Sequence, residues 1–400
     1  MEKANNRNLG LLFVTMVVVM LGFGMIIPIM PFYIEKFGAG GSAMGMLMAS
    51  YAAMQFVFAP MWGRLSDRYG RKPILMVGVL GNAIASLLFG LSTELWMLFF
   101  SRILAGILSS ATLPTAMAYI GDSTSDEDRG GGMGIIGAAM GVGMVLGPGF
   151  AGWLATYSLA WPFFIAAGLS LATMVLIYLI LPESLSADSR VEAKDQGNWI
   201  SQFNLMFEAL RGPIGFLLLL AFILSFGLTN FESIFGLYVL DRFSYGPQQV
   251  GTILTVVGVI SAIIQGGLTG PLSRRWGESN IVKGSLLGSA VGFALMLTAN
   301  NFGMVMLTVS LFVISNSMLR PVIASLTSKR AEGGQGMAMG LNNSFMSLGR
   351  IAGPLWAGFL LDVDLSYPYV SGAVVMLVGF VFCMLWLNQK PSSVQASAVT

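Results

Sequence analysis

Stretches of predominantly apolar residues, each about 20 long and so able to cross a bilayer, recur along this chain between short polar or Gly/Pro breaks. Twelve are expected: 9–32, 43–62, 74–92, 95–119, 131–154 and 160–181, then 213–239, 248–270, 281–299, 302–325, 336–360 and 367–388. Four hundred residues would otherwise suggest two or three soluble domains. Only 10% of the residues are charged, however, against about 25% in soluble chains, and 55% are hydrophobic. The chain must therefore be solvated mainly by lipid. The first span exceeds the apolar core of a signal peptide and is followed by Pro28 and Pro31 rather than a small-residue cleavage site, so a retained helix is expected.

Residues 182–212 are too polar to enter a membrane, carrying Glu183, Asp188, Arg190, Glu192, Lys194, Asp195, Glu208 and Arg211. They are expected to form a cytoplasmic linker between an N-terminal six-helix bundle, 1–181, and a C-terminal one, 213–400, that ends in a short cytoplasmic tail. With both termini in the cytoplasm, 16 of the 21 Lys and Arg residues fall inside, Lys36 and Arg242 outside, and Arg102, Arg320 and Arg350 within spans. The opposite topology would invert the retention of basic residues on the inner side.

The two halves also repeat. G-R-L-S-D-R-Y-G-R-K at 63–72 returns as G-P-L-S-R-R-W-G-E-S at 270–279, offset by 207, and Gly147, Pro148 and Gly152 return as Gly353, Pro354 and Gly358, offset by 206. Six spans bring the chain back to the same side, so the repeat is parallel, about an axis along the membrane normal. The expected fold is an all-α membrane protein of twelve transmembrane helices in two pseudo-symmetric six-helix bundles around a central cavity.

Other classes fall away on composition and motif. A net charge of +2 leaves no basic excess for nucleic acid. With no histidine and a single cysteine, Cys383, neither a disulfide within the chain nor a Cys/His metal cluster is available, and proton chemistry falls to carboxylates. A channel would need a filter or a ring of like charge, and an intramembrane enzyme a nucleophile with its base. Neither is present. No G-x-x-x-x-G-K-[ST] loop occurs, so transport would draw on an ion gradient.

Several motifs resemble those of the major facilitator superfamily, and more narrowly its twelve-helix drug:proton antiporters. Gly63, Asp67, Arg68, Gly70, Arg71 and Lys72 match the superfamily loop G-x-L-x-D-R-x-G-R-K, and Gly143, Gly147, Pro148 and Gly152 resemble the antiporter motif of the fifth span. Arg102 lies in an R-x-L-x-G setting similar to that family's third motif. S-F-G-L-T-N-F-E-S-I-F-G-L-Y-V in span 7 and L-R-P-V in span 10 resemble the group containing the multidrug-resistance transporter of bacilli and the staphylococcal norfloxacin-resistance pump. Two positions depart from that group: Asn316 stands where an aspartate is expected, and Arg350 where a neutral residue is. Both make the cavity less acidic.

Glu232 is the only carboxylate expected well inside a span, where a charge costs roughly 2.5–3.5 kcal/mol on insertion scales. It is the candidate for proton coupling, exchanging a proton for a lipophilic cation; the alternative is a permanent ion pair with Arg320 or Arg350. Asn316 and Arg320, four residues apart, share a helix face beside Pro321 and form a candidate cavity wall, as do Asn343 and Arg350 two turns apart. Tyr51 and Gln55 would offer the cavity an aromatic face and an amide, or only pack. Arg102, about 10 Å along its helix, either snorkels to the outer interface or, as the resemblance implies, belongs to the proton route. The 27 Met and 27 Phe supply deformable apolar surface.

Asp67 is expected to meet the positive N-terminus of span 11 near Gly333–Gly336, and Arg71 to pair with Asp122. Together they would form a cytoplasmic gate that breaks when the cavity faces inward. Gly137/Gly141 and Gly143/Gly147 are both expected to bring helix backbones into contact. The resemblance implies a proton-coupled multidrug efflux antiporter of the bacterial inner membrane exporting lipophilic, often cationic or aromatic compounds. Proton is its coupling ion, no cofactor is required, and it works as a monomer among lipids. The alternative is an exporter of one physiological solute such as a sugar, a lipid or a single antibiotic.

Overall fold

The computed structural model describes residues 6–125, 127–186, 199–331 and 334–386. Asp188, Arg190, Glu192, Lys194 and Asp195 of the linker, Gly333 and the tail from 387 lie outside the described residues. The helices are α1 (Asn6–Lys36), α2 (Gly41–Tyr69), α3 (Arg71–Gly90), α4 (Leu95–Leu108), α5 (Thr112–Ser123), α6 (Arg129–Leu154) and α7 (Trp161–Ile180). After the linker come α8 (Trp199–Arg211), α9 (Gly215–Phe243), α10 (Pro247–Ile263), α11 (Thr269–Trp276), α12 (Glu278–Met296), α13 (Phe302–Lys329), α14 (Gln335–Val363) and α15 (Tyr367–Trp386).

Two of the expected spans are interrupted, each three residues before a proline. A 3₁₀ turn at Ser109–Ala111 joins α4 to α5, and Pro114 lacks the N–H that would bond the carbonyl of Ser110, four residues earlier. A π turn at Ile264–Leu268 joins α10 to α11, where Pro271 likewise leaves the carbonyl of Gly267 without its donor and the Thr269 hydroxyl donates to Ile264 O at 2.7 Å. With those two joints counted as continuous, eleven helices among the described residues are long and apolar enough to cross a membrane. The twelfth unit, α14, has the length at 29 residues, but Gln335, Asn342, Asn343 and Arg350 dilute its hydropathy. The short helix α8 was not expected within the linker.

Packing follows the repeat. α1 lies on α6 as α9 lies on α14, and α3 on α7 as α12 on α15; across the molecule, α2 packs on α14 and α10 on α6. The cross-contacts are confined to one end. A Cβ on Gly45 would collide with the carbonyl of Pro354, and one on Gly251 would lie 2.5 Å from the carbonyl of Pro148. These two contacts are equivalent under the 206-residue offset. Toward the opposite end of the same helices, Gly63, Gly137, Gly266 and Gly340 have nothing within 4 Å of a Cβ position. The helices therefore touch at the end holding Gly41 and Pro247 and part at the end holding the Gly70 turn between α2 and α3, leaving a cavity that opens there.

That geometry corrects one expectation. Gly143 and Gly147 do bring α6 against α1, with Cβ positions 2.7 Å from Val17 O and 2.8 Å from Leu21 O, but Gly137 and Gly141 face open space. They lie on the other face of α6: Gly132, Ile136, Ala139 and Gly143, interleaved with them, are buried.

Candidate functional site: a charged cavity at membrane depth

α2, α4, α9 and α14 bring four of the singled-out side chains into one electrostatic chain. The Arg102 guanidinium lies 4.3 Å from the centroid of the Tyr51 ring and 5.9 Å from that of Phe23. Tyr51 in turn lies within the fields of both Arg102 and Arg350, and Arg350 within those of Tyr51 and Glu232. Arg102 and Tyr51 belong to the first six spans and Arg350 and Glu232 to the last six, so the chain crosses the cavity. Arg102 does not snorkel. It is 2% exposed, held inward by the two aromatic rings, which attract a cation through their negative faces.

Glu232 is half-buried and has no hydrogen bond or ion pair within 4 Å to a described residue. Arg350 is the cation that acts on it, beyond ion-pair distance. Arg320 is exposed and feels Arg350 as a like charge, which places it toward the cavity. Asn316, one turn earlier, is buried and its amide nitrogen finds no partner among the described residues; no hydrogen bond joins it to Arg320. Gln55 Nε2 donates to the Tyr51 hydroxyl at 3.5 Å. Asn343 is exposed and contributes only its backbone carbonyl, to Ser347.

At the open end, Gly70 sits at φ 107°, a conformation for glycine, and turns the chain directly into α3. The Arg71 side chain is buried and donates to Asp67, to Ser66 Oγ at 2.7 Å and to Asp122 Oδ2 at 2.8 Å. The expected pair of Arg71 with Asp122 is therefore formed while this end is open. It joins α3 to α5 and does not span the cavity. Asp67 is half-exposed and bonds Arg71; Gly334 and Gly336 at the start of α14 are open. Arg68 is exposed, its guanidinium 5.3 Å from the Tyr69 ring.

Two carboxylates escaped sequence reasoning. Glu183, assigned to the linker, accepts the backbone N–H groups of Arg71 at 2.7 Å and Lys72 at 3.2 Å, capping α3 at the positive end of its dipole. Asp362, at the end of α14, accepts the N–H groups of Gly41 at 2.5 Å and Ser42 at 2.9 Å, capping α2 across the closed end. No local spacing announces either, because the donors lie 111–112 and 320–321 residues away.

Helices of membrane-spanning length that meet at one end over a charged cavity describe a transporter, not an enzyme. The sequence profile of the Major Facilitator Superfamily matches residues 12–278 and 217–399, and the chain belongs to that superfamily. It is a multi-pass protein of a bacterial membrane that handles small molecules. It is 32% identical over 377 residues to "Multidrug resistance protein 2" of Bacillus subtilis (strain 168), covering 93% of each chain. It is 28% identical over 380 residues to "Quinolone resistance protein NorA" of Staphylococcus aureus (strain COL), covering 95% of this chain and 96% of that one. Among solved structures, a bacterial homolog of the human lysosomal transporter Spinster, titled as inward-facing and occupied, shares the fold at a TM-score of 0.77 with 15% identity, covering 96% of each chain.

Proposed function

We propose that this protein is a proton-coupled multidrug efflux antiporter that exports lipophilic compounds by alternating access between two bundles, 1–181 and 213–400, joined by the 182–212 linker. The observation that carries this reading is Glu232: a carboxylate at membrane depth, unpaired within 4 Å among the described residues, and faced by Arg350. A carboxylate can hold a proton or face a nearby cation but not both at once, so proton and cationic cargo exclude each other. Each cycle would load Glu232 with a proton from outside and release it inside. Asn316, Asn343, Gln55 and Tyr51 would line the cargo space, and Arg320 would balance Glu232 when ionised.

Both termini would lie in the cytoplasm, which makes the end opened here the cytoplasmic one. Asp67 would then be free to reach the N-terminus of α14 when that end closes. The protein works as a monomer in lipid and needs no cofactor besides the proton. The second reading, export of one physiological solute, is favoured by a single observation: Arg102, Arg320 and Arg350 outnumber Glu232 in the cavity region, an unusual charge balance for cationic cargo.

Ethidium efflux from energised everted vesicles under a controlled pH gradient tests the proposal. Wild type is expected to pump only with the gradient and Glu232→Gln to lose drug-dependent proton movement. Normal antiport in the variant sinks the role of Glu232; no dye movement by wild type favours the single-solute reading.

A further inference from the structure

We propose that a small pocket inside the first six spans, walled by α1, α2, α3 and α4, binds a monovalent inorganic anion of halide type, with Arg102 as its cationic anchor. Arg102 lines this pocket with Asn82, Ser86, Ser101 and Ser109. The guanidinium is 2% exposed, yet its Nε and Nη1 donors have no acceptor among the described residues. An arginine stays charged at any physiological pH, and a buried cation without a counter-charge is strongly destabilising. Buried donors left unpaired call for a missing partner.

The aromatic neighbours do not supply one. Tyr51 and Phe23 attract the cation through their π faces, an interaction worth about 0.5–2 kcal/mol, but they cannot accept the in-plane N–H groups of Nε and Nη1. Nor does any carboxylate line the pocket. Glu232 belongs to the other half and is acted on by Arg350, with Arg102 absent from the charges that reach it.

Besides Arg102 and Tyr51, the otherwise apolar pocket is lined by four polar side chains. Ser101 spends its hydroxyl on Ala85 O at 2.8 Å and Asn82 directs its amide to Ser170 Oγ at 2.9 Å, whereas the Ser86 and Ser109 hydroxyls make no hydrogen bond to a described residue. Two free hydroxyls and an unpaired guanidinium edge form a ligand set for an anion stripped of water. The space holds a body the size of one water or ion, too little for a drug. A water could accept one or two N–H bonds but would leave the charge uncompensated. A halide answers both needs and, by fixing Arg102 against Tyr51, would preset the first link of the chain that leads to Arg350 and Glu232.

The experiment compares purified wild type in chloride, in bromide and in gluconate at equal ionic strength, gluconate being a carboxylate too large to enter. Its first readout is the thermal unfolding midpoint. A saturable, halide-specific rise is expected in wild type and none in Arg102→Met. Ser86→Ala with Ser109→Ala is expected to keep the rise but shift its half-saturation about tenfold upward, the loss of hydrogen bonds to a charged group. Equal midpoints in all three salts, or a rise undiminished in Arg102→Met, overturn the site. Should Arg102→Met not fold, anomalous diffraction from wild-type crystals grown in bromide decides alone. A bromide peak beside Arg102 supports the proposal, and a water there with no anomalous signal overturns it.

Discussion

Glu278 meets Lys329 at 2.7 Å in the places where, 207 residues earlier in the chain, Arg71 meets Asp122 at 2.8 Å: the two halves make the same contact with the charges exchanged. Asp67 and Arg274 are exchanged at the same offset, and Gly70 and Gly277 both carry positive φ. The geometry of the repeat has thus been kept while its electrostatics were inverted. The two pairs differ in environment. The Arg71 side chain is 8% exposed and has three side-chain partners, whereas that of Lys329 is 65% exposed. Lys329→Ala should therefore cost no more than about 1 kcal/mol, the range of exposed ion pairs, while Arg71→Ala should cost about 1–3 kcal/mol because Asp67, Ser66 and Asp122 each lose a charged donor. Unfolding midpoints of the two purified variants check this; equal losses would show that burial does not separate them.

Asp67 accepts no hydrogen bond from across the cavity in this conformation, since its described bond is from Arg71. Asp67→Asn should leave the open-ended state folded, because the amide oxygen still accepts from Arg71 and Asp122 keeps its charge beside that guanidinium. If Asp67 meets the α14 N-terminus on closure, a charge there is worth about 0.3–1 kcal/mol, up to about 2 when partly buried. The variant should then close this end a few-fold to about thirtyfold less often. Distance distributions between spin labels at the end of α2 and the start of α14 measure it, and an unchanged closed fraction with full transport would remove Asp67 from the gate.

Asp362 acts at the opposite end. By capping two N–H groups of α2 from α14, it stabilises the contact that holds this end shut, and losing such a cap costs about 0.5–2 kcal/mol. Asp362→Ala should shift the population toward opening at the Gly41 end by about two- to thirtyfold, and Asp362→Asn by less, because the amide oxygen still accepts. Labels at the start of α2 and the end of α14 report it directly. A distance distribution identical to wild type would mean that the glycine contacts alone hold the end.

Much of this was legible from the chain. Twelve apolar runs dictate twelve helices because lipid offers the backbone no alternative partner, and the 206- and 207-residue offsets place α6 with α14 and the two glycine turns in register. Glu232 stands out as an acid among apolar neighbours. What stayed hidden is long-range or conformational. Glu183 and Asp362 cap helices more than a hundred residues away, and Arg102 looked close enough to snorkel until Tyr51 and Phe23 were seen to hold it. Gly137 and Gly143 read alike in sequence, since each begins a G-x-x-x-G pair; only the face of α6 on which each falls tells them apart.

That difference makes the final prediction. Adding a methyl at Gly251 would drive it into the Pro148 carbonyl and the backbone of Gly152, and at Gly45 into Pro354; these are backbone atoms that cannot rotate aside. Gly45→Ala and Gly251→Ala should each cost about 1–3 kcal/mol as overpacking, relieved by parting the helices at that end, so both variants should favour the state opened there. Gly137→Ala meets nothing within 4 Å and should match or exceed wild-type stability, by as much as about 1 kcal/mol, since alanine outranks glycine inside a helix. Midpoints for the three variants, read beside accessibility of a cysteine placed in the cavity, separate the outcomes. If Gly137→Ala proves as damaging as Gly251→Ala, the face of α6 that carries Gly137 is packed in the molecule's dominant state, and the conformation described above is a minor one.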